Sequence, residues 1–382
     1  MSSFHRQAGT CEIITTAARL AEVADILSHQ TEFAADMEMD SLHHYREKVC
    51  LVQISTRQQS WLIDPLALSS LSPLAAPFAN PEIVVVMHGS DYDIRSLHRD
   101  FGIEVANLFD TMIAARFLKI AEFGLAALLR ARFGIELDKK YQKADWSKRP
   151  LSSEMCAYAA ADTSDLLPLY DQFRVELEHK GRLEWLEEEG RLVCQARVTE
   201  KDGPLFLYCK GANKLRGHTL AILEELLQMR DRQAELLDRP PFKVLSADTL
   251  IEVAENRPRS LHDLSLVKGM TPGQLQRHGD GILSAVERGI ATPENRVPCF
   301  PRNGKKEVLE RVKERLKNLK LWREQYCLEL GLDPGVLAPN WLLEAVADTQ
   351  DAAIEELDAI PGMREWQKRL FGEELARILT MV

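Results

Sequence analysis

The pattern of apolar residues changes once along this 382-residue chain, and that change limits the folds it can adopt. Up to about residue 175, short runs rich in β-branched and aromatic residues alternate with segments of helical periodicity. The predicted strands are residues 11–15, 32–39, 49–56, 60–65 and 82–88, and the predicted helices are residues 20–30, 93–102, 111–119, 125–134 and 152–180. A long, charge-rich helical stretch follows, from about residue 170 to 198. Three consecutive strands followed by mixed units predict an α/β sheet packed against helices, in a first domain over residues 1–200.

From about residue 213 the pattern is helical throughout and repeats once. Gly269 in the first copy matches Gly362 in the second, and Gly279 matches Gly372. A linker rich in Pro, Asn and Arg, residues 291–304, separates the copies. We therefore predict two small all-α domains, over residues 213–292 and 305–382.

Composition describes an ordinary globular chain of two or three domains, with 45% hydrophobic and 28% charged residues. The seven cysteines are scattered without a CxxC pair, which predicts reduced thiols in a cytosolic protein. No apolar run reaches the roughly 18–20 residues of a membrane span. The first residues lack the basic segment and apolar stretch of a secretory signal, so we expect no leader and a cytoplasmic location.

The net charge of −10 argues against a nucleic-acid partner, but the charge is unevenly distributed. One basic cluster comprises Lys139, Lys140, Lys143, Lys148 and Arg149. It lies shortly before the predicted helix that carries Tyr158, and its position favours a contact with nucleic acid. The other cluster, residues 305–323, alternates with Glu and is typical of a solvated helix face.

Two acids on one predicted strand have the spacing of metal ligands. In the run AADMEMDS, Asp36 and Glu38 project to one face, whereas Ala35 and Met37 project to the other. Taken alone, the pattern is better explained by an amphipathic strand whose polar face meets solvent. Two acids on one face can, however, converge on a hard divalent cation, with Asp36 as the natural bridging ligand and Glu38 binding one ion.

Three more residues follow on predicted helices. After the strand VVVMH, Asp91 and Asp93 lie in a first helical turn, where the helix dipole favours acids and Ser90 is a plausible N-cap. The dipole suffices to explain Asp91, but Asp93 lies nearer the helix body. Tyr158 and Asp162 are four residues apart and share a helix face among alanines, which either packs tightly on the sheet or presents both side chains to a metal.

The ordered set D-x-E, H-G-x-x-x-D and Y-x-x-x-D resembles the 3′–5′ exonucleases named DEDD for their four acids. Tyr158, four residues before Asp162, matches the DEDDy branch, whereas the sister branch has a histidine where this chain has Ala157. Within that branch the chain is similar to the ribonuclease D family, through SLHHYREKVCLVQIST, LFDTMIAARFL and KADWSKRPLSSEMCAYAAAD. The helical repeats resemble HRDC domains. The chain departs from the family at Met37 and Met39, where Thr and Phe are common.

The resemblance implies a ribonuclease H-like mixed sheet, an exonuclease domain and two HRDC-type domains. It implies two divalent ions, Mg²⁺ or Mn²⁺, held by Asp36, Glu38, Asp93 and Asp162. Tyr158 would position the water that attacks the terminal phosphodiester of an RNA 3′ end, releasing a nucleoside 5′-monophosphate. RNA 3′ processing, with tRNA precursors as the typical substrate, is the expected role, with the protein acting as a monomer without an obligate protein partner.

Further residues are predicted to contact the nucleic acid. They are His88, Lys143, Trp146, Arg149, Lys243 and Lys268. Trp341 and Trp366, in the second helical repeat, either stack on bases or pack in a core. Two alternatives to the exoribonuclease remain: a single-strand DNA 3′–5′ exonuclease with the same acids, and a non-catalytic nucleic-acid tether. The intact acids argue against the tether.

Overall fold

A computed structural model of the chain shows two compact units. The first contains the described residues within Met1–Met39, Val49–Val198 and Lys305–Val382, and the second those within Asp40–Lys48 and Thr199–Gly304. The residues that the structure describes are 11–199, 202–301, 310–349, 357 and 359–380. The limits of the three predicted domains remain predictions.

The first unit is built on a six-stranded mixed sheet. Its strands are β1 (Glu12–Ile14), β2 (Glu32–Met39), β3 (Val49–Ser55), β4 (Ser60–Ile63), β5 (Val84–Met87) and β6 (Leu108–Asp110). Their order across the sheet is β1-β4-β3-β2-β5-β6. Strand β3 pairs antiparallel with both β2 and β4, while β5 runs parallel to β2 and to β6. The predicted mixed α/β sheet is thus confirmed.

Eight α-helices accompany this sheet within residues 11–199. They are α1 (Ala17–Ser28), α2 (Ala75–Phe78), α3 (Asp91–Phe101), α4 (Thr111–Phe117), α5 (Leu125–Phe133), α6 (Ser153–Ser164), α7 (Leu166–His179) and α8 (Leu183–Cys194), with a 3₁₀ turn at Ser72–Leu74. Strand β3 is buried along its whole length, since apolar clusters cover both faces of the sheet. That burial explains why its sequence is almost continuously apolar.

Two sequence expectations about helices were wrong in detail. The single helix predicted over 152–180 is two helices, α6 and α7, because the chain leaves helical geometry at Asp165. The charge-rich helical stretch predicted to run from about 170 to 198 is interrupted at Gly181, whose φ of 63° is left-handed. Strand β6 was not predicted, because its sequence LFD lacks the β-branched residues found in the equally short β1.

The second helical repeat belongs to the first unit. Its helices are α14 (Glu310–Leu330), α15 (Pro334–Leu337), α16 (Asn340–Asp348) and α17 (Glu365–Thr380). The rings of Trp366 and Trp185 stack with centroids 4.6 Å apart. Arg364 donates two hydrogen bonds to the carboxylate of Glu189, and the Glu188 carboxylate accepts from the backbone N–H of Trp366. This repeat therefore packs on α8 through a desolvated aromatic pair bordered by charge-assisted hydrogen bonds.

The second unit is helical. It contains α9 (His218–Leu236), α10 (Pro241–Val244), α11 (Ala247–Asn256), α12 (Leu261–Ser265) and α13 (Pro272–Ile290), with 3₁₀ turns at Leu205–Tyr208, Ala212–Lys214 and Glu294–Arg296. Its core lies between α9, α11 and α13, where Gly289 approaches the backbone of Ile222 closely enough to exclude a Cβ. Residues 40–48 join this unit, with the Tyr45 hydroxyl donating to Asp231 at 2.9 Å and His44 Nδ1 2.7 Å from Asp238.

The cysteines and the hydropathy of the helices bear on two sequence expectations. All seven cysteines lie in the described part of the chain, and all are free thiols, as predicted. Within the same described ranges, none of the helices has the length and apolar character needed to cross a bilayer.

Candidate active site

One cleft in the first unit gathers four of the five residues predicted to carry the chemistry. Asp36, Glu38, Tyr158 and Asp162 all line this cleft, whose volume is about 420 Å³. His88, predicted to contact the nucleic acid, lines it too. The remaining lining residues are Met37, Gly124, Leu125, Ala126, Ala127, Leu137, Asp138, Lys139 and Gln142. Residues 120 positions apart in sequence thus meet at one opening.

Strand β2 presents its two acids to the cleft because its other face is committed to the core. Ala35 and Met37 are buried in the apolar cluster beneath the sheet, which confirms the predicted alternation. Glu38 is surrounded by like charge: burial first, and then Asp36, Asp162 and Asp93, raise its pKa to about 10. Burial likewise raises the pKa of Asp36. These carboxylates therefore repel one another when ionised, which is the environment that a bound cation relieves.

Helix α3 gives Asp91 and Asp93, which the sequence could not distinguish, different surroundings. Asp91 is exposed and pairs with Arg95 one turn later, Oδ2 to Nε 2.9 Å. Asp93 is buried, and its pKa is raised by burial and by the charges of Asp36 and Asp110. Asp93 thus faces the other acids, whereas Asp91 forms an ordinary surface ion pair.

The turn before α3 is fixed by Asp110, a residue that sequence reasoning missed. Its carboxylate accepts from the backbone N–H of Gly89 and of Ser90, at 3.0 and 2.8 Å, and from the Ser90 hydroxyl at 2.8 Å. It also caps α4 by accepting from Met112 N–H. Ser90 occupies the N-cap position of α3, as predicted, but its side chain does not cap the helix, because its hydroxyl donates to Asp110 instead. The turn that precedes Asp93 is therefore anchored from the neighbouring strand.

His88 is held in one orientation at the edge of the cleft. Its Nδ1 lies 2.9 Å from the Thr111 hydroxyl, and that hydroxyl donates to the carbonyl of Met87. The Thr111 oxygen is thus an acceptor, which makes Nδ1 the protonated nitrogen of a neutral ring. Burial lowers the pKa of His88, against an opposing effect of Asp110. The imidazole is uncharged near neutral pH.

Helix α6 supplies Tyr158 and Asp162, one turn apart on the same face. Ala159 is fully buried between them on the sheet side, and Thr163 shares a hydrogen bond of 2.7 Å with Ser55 of β3. Small residues therefore bring the helix close to the strands, as the sequence suggested. Burial and the charge of Asp36 raise the pKa of Asp162 to about 8. Burial and the charges of Asp162, Glu38 and Asp36 raise the pKa of Tyr158. The phenol stays protonated at neutral pH.

Strand β3, next to β2, carries a second residue that sequence reasoning missed. Gln53 lies directly opposite Asp36 in the β2–β3 ladder and is fully buried, yet neither its amide nitrogen nor its amide oxygen has a hydrogen-bond partner. An orphaned buried amide beside clustered carboxylates fits a site completed by a hydrated cation. Among the described residues, no three His, Cys, Asp or Glu side chains already converge at metal-binding distances. The donor set fits a divalent ion in kind, as oxygen ligands at a site of excess negative charge.

Two of the residues predicted to contact nucleic acid are engaged within the protein, and for the buried Trp146 the prediction was wrong. Trp146 is 1% exposed and packs in an apolar cluster with Leu51 and Leu62. Arg149 directs its donors inward, to Asp64 and to the carbonyls of Cys50, Trp146 and Lys148. Its guanidinium has no N–H left for a phosphate.

The remaining nucleic-acid predictions are not decided by the geometry. Lys143 is exposed near the cleft, and Lys243 and Lys268 are exposed in the second unit. The two tryptophans left open by sequence differ: Trp366 is buried, whereas Trp341 is 47% exposed. Core packing is therefore the role of Trp366, as its stacking on Trp185 also indicates.

The fold and the cleft define a nuclease-like site of clustered acids on a mixed sheet, and comparison with known proteins agrees. Residues 11–178 match the model of a 3′–5′ exonuclease domain. Residues 219–286 and 312–379 each match the HRDC domain. The chain therefore belongs to the 3′–5′ exonuclease family, with paired HRDC domains, and the predicted resemblance is confirmed.

Individual relatives extend this result over most of the chain. The crystal structure of the catalytic core of RRP6 from Trypanosoma brucei is 31% identical, with a TM-score of 0.66, over 75% of this chain and 82% of that one. The structure of Escherichia coli RNase D, described as an exoribonuclease involved in structured RNA processing, is 27% identical, with a TM-score of 0.72, over 97% and 99%. Mouse exosome complex component 10 is 36% identical over 259 residues, 65% of this chain but 29% of that protein. The chain thus spans less than a third of that relative's length.

Proposed function

We propose that this protein is a metal-dependent 3′–5′ exoribonuclease that removes nucleoside 5′-monophosphates from RNA 3′ ends. The observation that carries the proposal is the convergence of Asp36, Glu38, Tyr158 and Asp162 on one cleft, with Asp93 coupled electrostatically to the same acids. Membership of the 3′–5′ exonuclease family supports the polarity. The similarity to RNase D and RRP6 supports RNA over DNA as the substrate.

Asp36, Glu38, Asp93 and Asp162 are the residues that would hold two divalent ions, Mg²⁺ or Mn²⁺. When bound, such ions stabilise both the attacking and the leaving oxygen of a phosphodiester. Asp36 is flanked by the other acids and is the natural shared ligand. The pKa values of Asp36, Glu38 and Asp162 are raised, in each case first by burial and for Glu38 and Asp162 also by neighbouring carboxylates. This supports the assignment, because a bound cation would stabilise the ionised form of each group.

Tyr158 has the role of orienting the attacking water. A phenol whose pKa is raised by burial and by neighbouring acids is a poor base, but it retains one donor and two acceptor positions. Its place one turn from Asp162 brings the hydroxyl to the same cleft. His88, neutral and held by Thr111, offers a fixed imidazole edge to the substrate at the cleft's rim.

The natural substrate that we propose is the 3′ end of a structured RNA, with tRNA precursors as the leading class. The paired HRDC domains support a substrate longer than the few nucleotides that the cleft accommodates. Exposed Lys143, Lys243 and Lys268 are the proposed phosphate contacts. We further propose that the protein acts in the cytosol as a monomer, in keeping with its free thiols.

The test uses 5′-labelled single-stranded RNA and a DNA of the same sequence, with Mg²⁺, Mn²⁺ or EDTA. The wild-type protein should shorten the RNA from its 3′ end with either metal and not with EDTA. Asp36→Asn should lower the rate by more than about 10²-fold, since even residues that support metal ligands contribute 10- to 100-fold. Asp91→Asn is the matched control, because this acid is two residues from Asp93 but pairs at the surface.

The outcomes separate the alternatives. Equal degradation of DNA would favour a DNA exonuclease. Binding of RNA without cleavage in any metal would favour a tether. Loss of activity in Asp91→Asn, with Asp36→Asn unaffected, would contradict the assignment of the cleft.

A further inference from the structure

Tyr158 is bordered by two aromatic rings from one segment that precedes its helix. The Trp146 ring centroid lies 6.0 Å from that of Tyr158, at an interplanar angle of 36°. The Tyr141 ring meets Tyr158 edge-on, with centroids 5.9 Å apart and an angle of 69°. Trp146 is buried, whereas Tyr141 is partly exposed. A phenol in contact with two rings has fewer positions open to it than a side chain on an open helix face.

The segment that supplies these rings is fastened to the sheet by Arg149. Its guanidinium forms a bidentate pair with Asp64, just after β4, at 2.6 and 2.7 Å. The same group donates to the carbonyl of Cys50 in β3 and to the carbonyl of Trp146 itself, both at 2.7 Å. The backbone at Trp146 is therefore fixed relative to β3, which neighbours β2, and to the end of β4. The Trp146 indole, which packs against the Tyr158 ring, thereby limits where that ring can lie.

We propose that Trp146 and Tyr141 are positioning residues for Tyr158, which set the direction of its hydroxyl into the cleft. They act through Tyr158 and do not touch the substrate. The inference rests on the proposed function of the cleft, because Tyr158 must take part in the reaction for its orientation to matter. It also gives a role to the DWSKRP run, Asp145–Pro150, other than contact with nucleic acid.

The chain contains a matched control for a purely structural tryptophan. Trp61, in β4, is also fully buried, and its indole N–H, like that of Trp146, has no hydrogen-bond partner. Trp61 packs in the apolar cluster on the other face of the sheet, with Met37 and Phe78. If Trp146 served only to fill the core, Trp146→Phe and Trp61→Phe would change kcat equally.

The kinetic test compares Trp146→Phe, Trp61→Phe and Tyr141→Ala in the full-length protein with Mg²⁺ and a single-stranded RNA. Trp146→Phe should lower kcat by about 10- to 100-fold with little change in KM, because small displacements of a reacting group cost this much. Tyr141→Ala should also lower kcat, and because Tyr141 is partly exposed, its removal leaves no cavity in the core. Trp61→Phe should leave kcat unchanged. In a Tyr158→Phe background, Trp146→Phe should have no further effect, because the hydroxyl it positions is already gone.

A second readout needs neither metal nor activity. In protein labelled with fluorotyrosine, Tyr158→Phe assigns the Tyr158 ¹⁹F resonance among the seven tyrosines. Trp146→Phe and Tyr141→Ala should each shift that resonance, and Trp61→Phe should not. The proposal is overturned if Trp146→Phe and Trp61→Phe reduce kcat equally, or if Trp146→Phe costs as much without the Tyr158 hydroxyl as with it. An active wild type with these results would leave the proposed function standing, whereas an inactive wild type would contradict that function itself.

Discussion

Gln53 faces Asp36 across the antiparallel ladder of β2 and β3, and its buried amide has no hydrogen-bond partner. An amide buried in that state costs about 1–3 kcal/mol of stability. Such a cost is characteristic of a group whose partners arrive with a ligand. Asp36 lies on β2, the strand that supplies two of the acids, whereas Gln53 is uncharged and belongs to none of the acid motifs.

Replacing Gln53 by methionine should separate stability from metal binding. Without metal, Gln53→Met should unfold at a higher temperature than the wild type, because a side chain of similar size no longer buries two unpaired polar atoms. Its Mg²⁺ affinity should fall by about 10- to 100-fold, the usual effect of removing a group that supports metal ligands. Melting curves in EDTA and a Mg²⁺ titration followed by melting temperature measure both. A variant that is less stable in EDTA and binds Mg²⁺ normally would contradict this role.

The like-charged cleft predicts a pH dependence of metal-free stability. Burial and neighbouring acids raise the pKa of Glu38 to about 10 in the folded protein, from an ordinary value of 4.5. A carboxyl with a raised folded-state pKa destabilises the protein progressively as pH rises between those two values, because the unfolded chain ionises it more easily. Glu38→Gln should therefore be more stable than the wild type in EDTA, by a margin that grows from pH 5 to pH 9.

Melting in EDTA at three pH values tests this, with Asp91→Asn as the surface control. Saturating Mg²⁺ should reverse the order, because a bound cation stabilises the ionised form of Glu38 in the wild type alone. If the stability advantage of Glu38→Gln over the wild type in EDTA shrank as pH rises, Glu38 would not lie in an anionic cluster.

The Arg149–Asp64 pair should contribute strongly to stability. Burial alone would raise the pKa of Asp64, but the Arg149 guanidinium, together with the backbone N–H groups of Leu66 and Ala67, more than offsets this effect, so that the pKa is lowered. Arg149→Ala would leave a nearly buried carboxylate unpaired, at a cost of about 3–5 kcal/mol in the free energy of unfolding. The greater stability of the wild type over Arg149→Ala should be present above pH 4 and should be lost as pH falls through the lowered pKa of Asp64.

Denaturant unfolding of wild type and Arg149→Ala at pH 7 and pH 3 measures this difference. RNA binding per folded molecule should be unaffected at pH 7, because no donor of Arg149 is free for a phosphate. A variant with normal stability and weakened RNA binding would restore the original prediction for this residue.

The two tryptophans of the second HRDC domain should behave differently. Trp366 is 4% exposed and stacks on Trp185, so Trp366→Ala should lower the free energy of unfolding by about 3–5 kcal/mol. Trp341 is 47% exposed, and Trp341→Ala should change that free energy by less than about 1 kcal/mol. Chemical denaturation and RNA-binding titrations of both variants provide the comparison. Equal destabilisation by the two would contradict the packing described for this domain.

Much of the site could be predicted because strand alternation is a local property. The period of two in β2 places Asp36 and Glu38 opposite Ala35 and Met37, and the structure has them so. Asp91 and Asp93 could not be distinguished, because their difference depends on how α3 is rotated against the sheet. The sequence of the helix alone does not contain that rotation.

Residues whose partners lie across the sheet were missed or misread. Asp110 and Gln53 acquire their roles from neighbouring strands, which no spacing along the chain reveals. Trp146 and Arg149 were interpreted from composition as a nucleic-acid contact. Composition does not say what a side chain contacts: Trp146 is buried, and the N–H groups of Arg149 bind within the protein.

The central claim is tested most directly by identifying the product released from a uniformly labelled single-stranded RNA in Mg²⁺, with wild type and Asp36→Asn in parallel. The account predicts nucleoside 5′-monophosphates from the first time point, taken from the 3′ end, and none with Asp36→Asn. Internal fragments, nucleoside 3′-monophosphates or full activity in Asp36→Asn would contradict it.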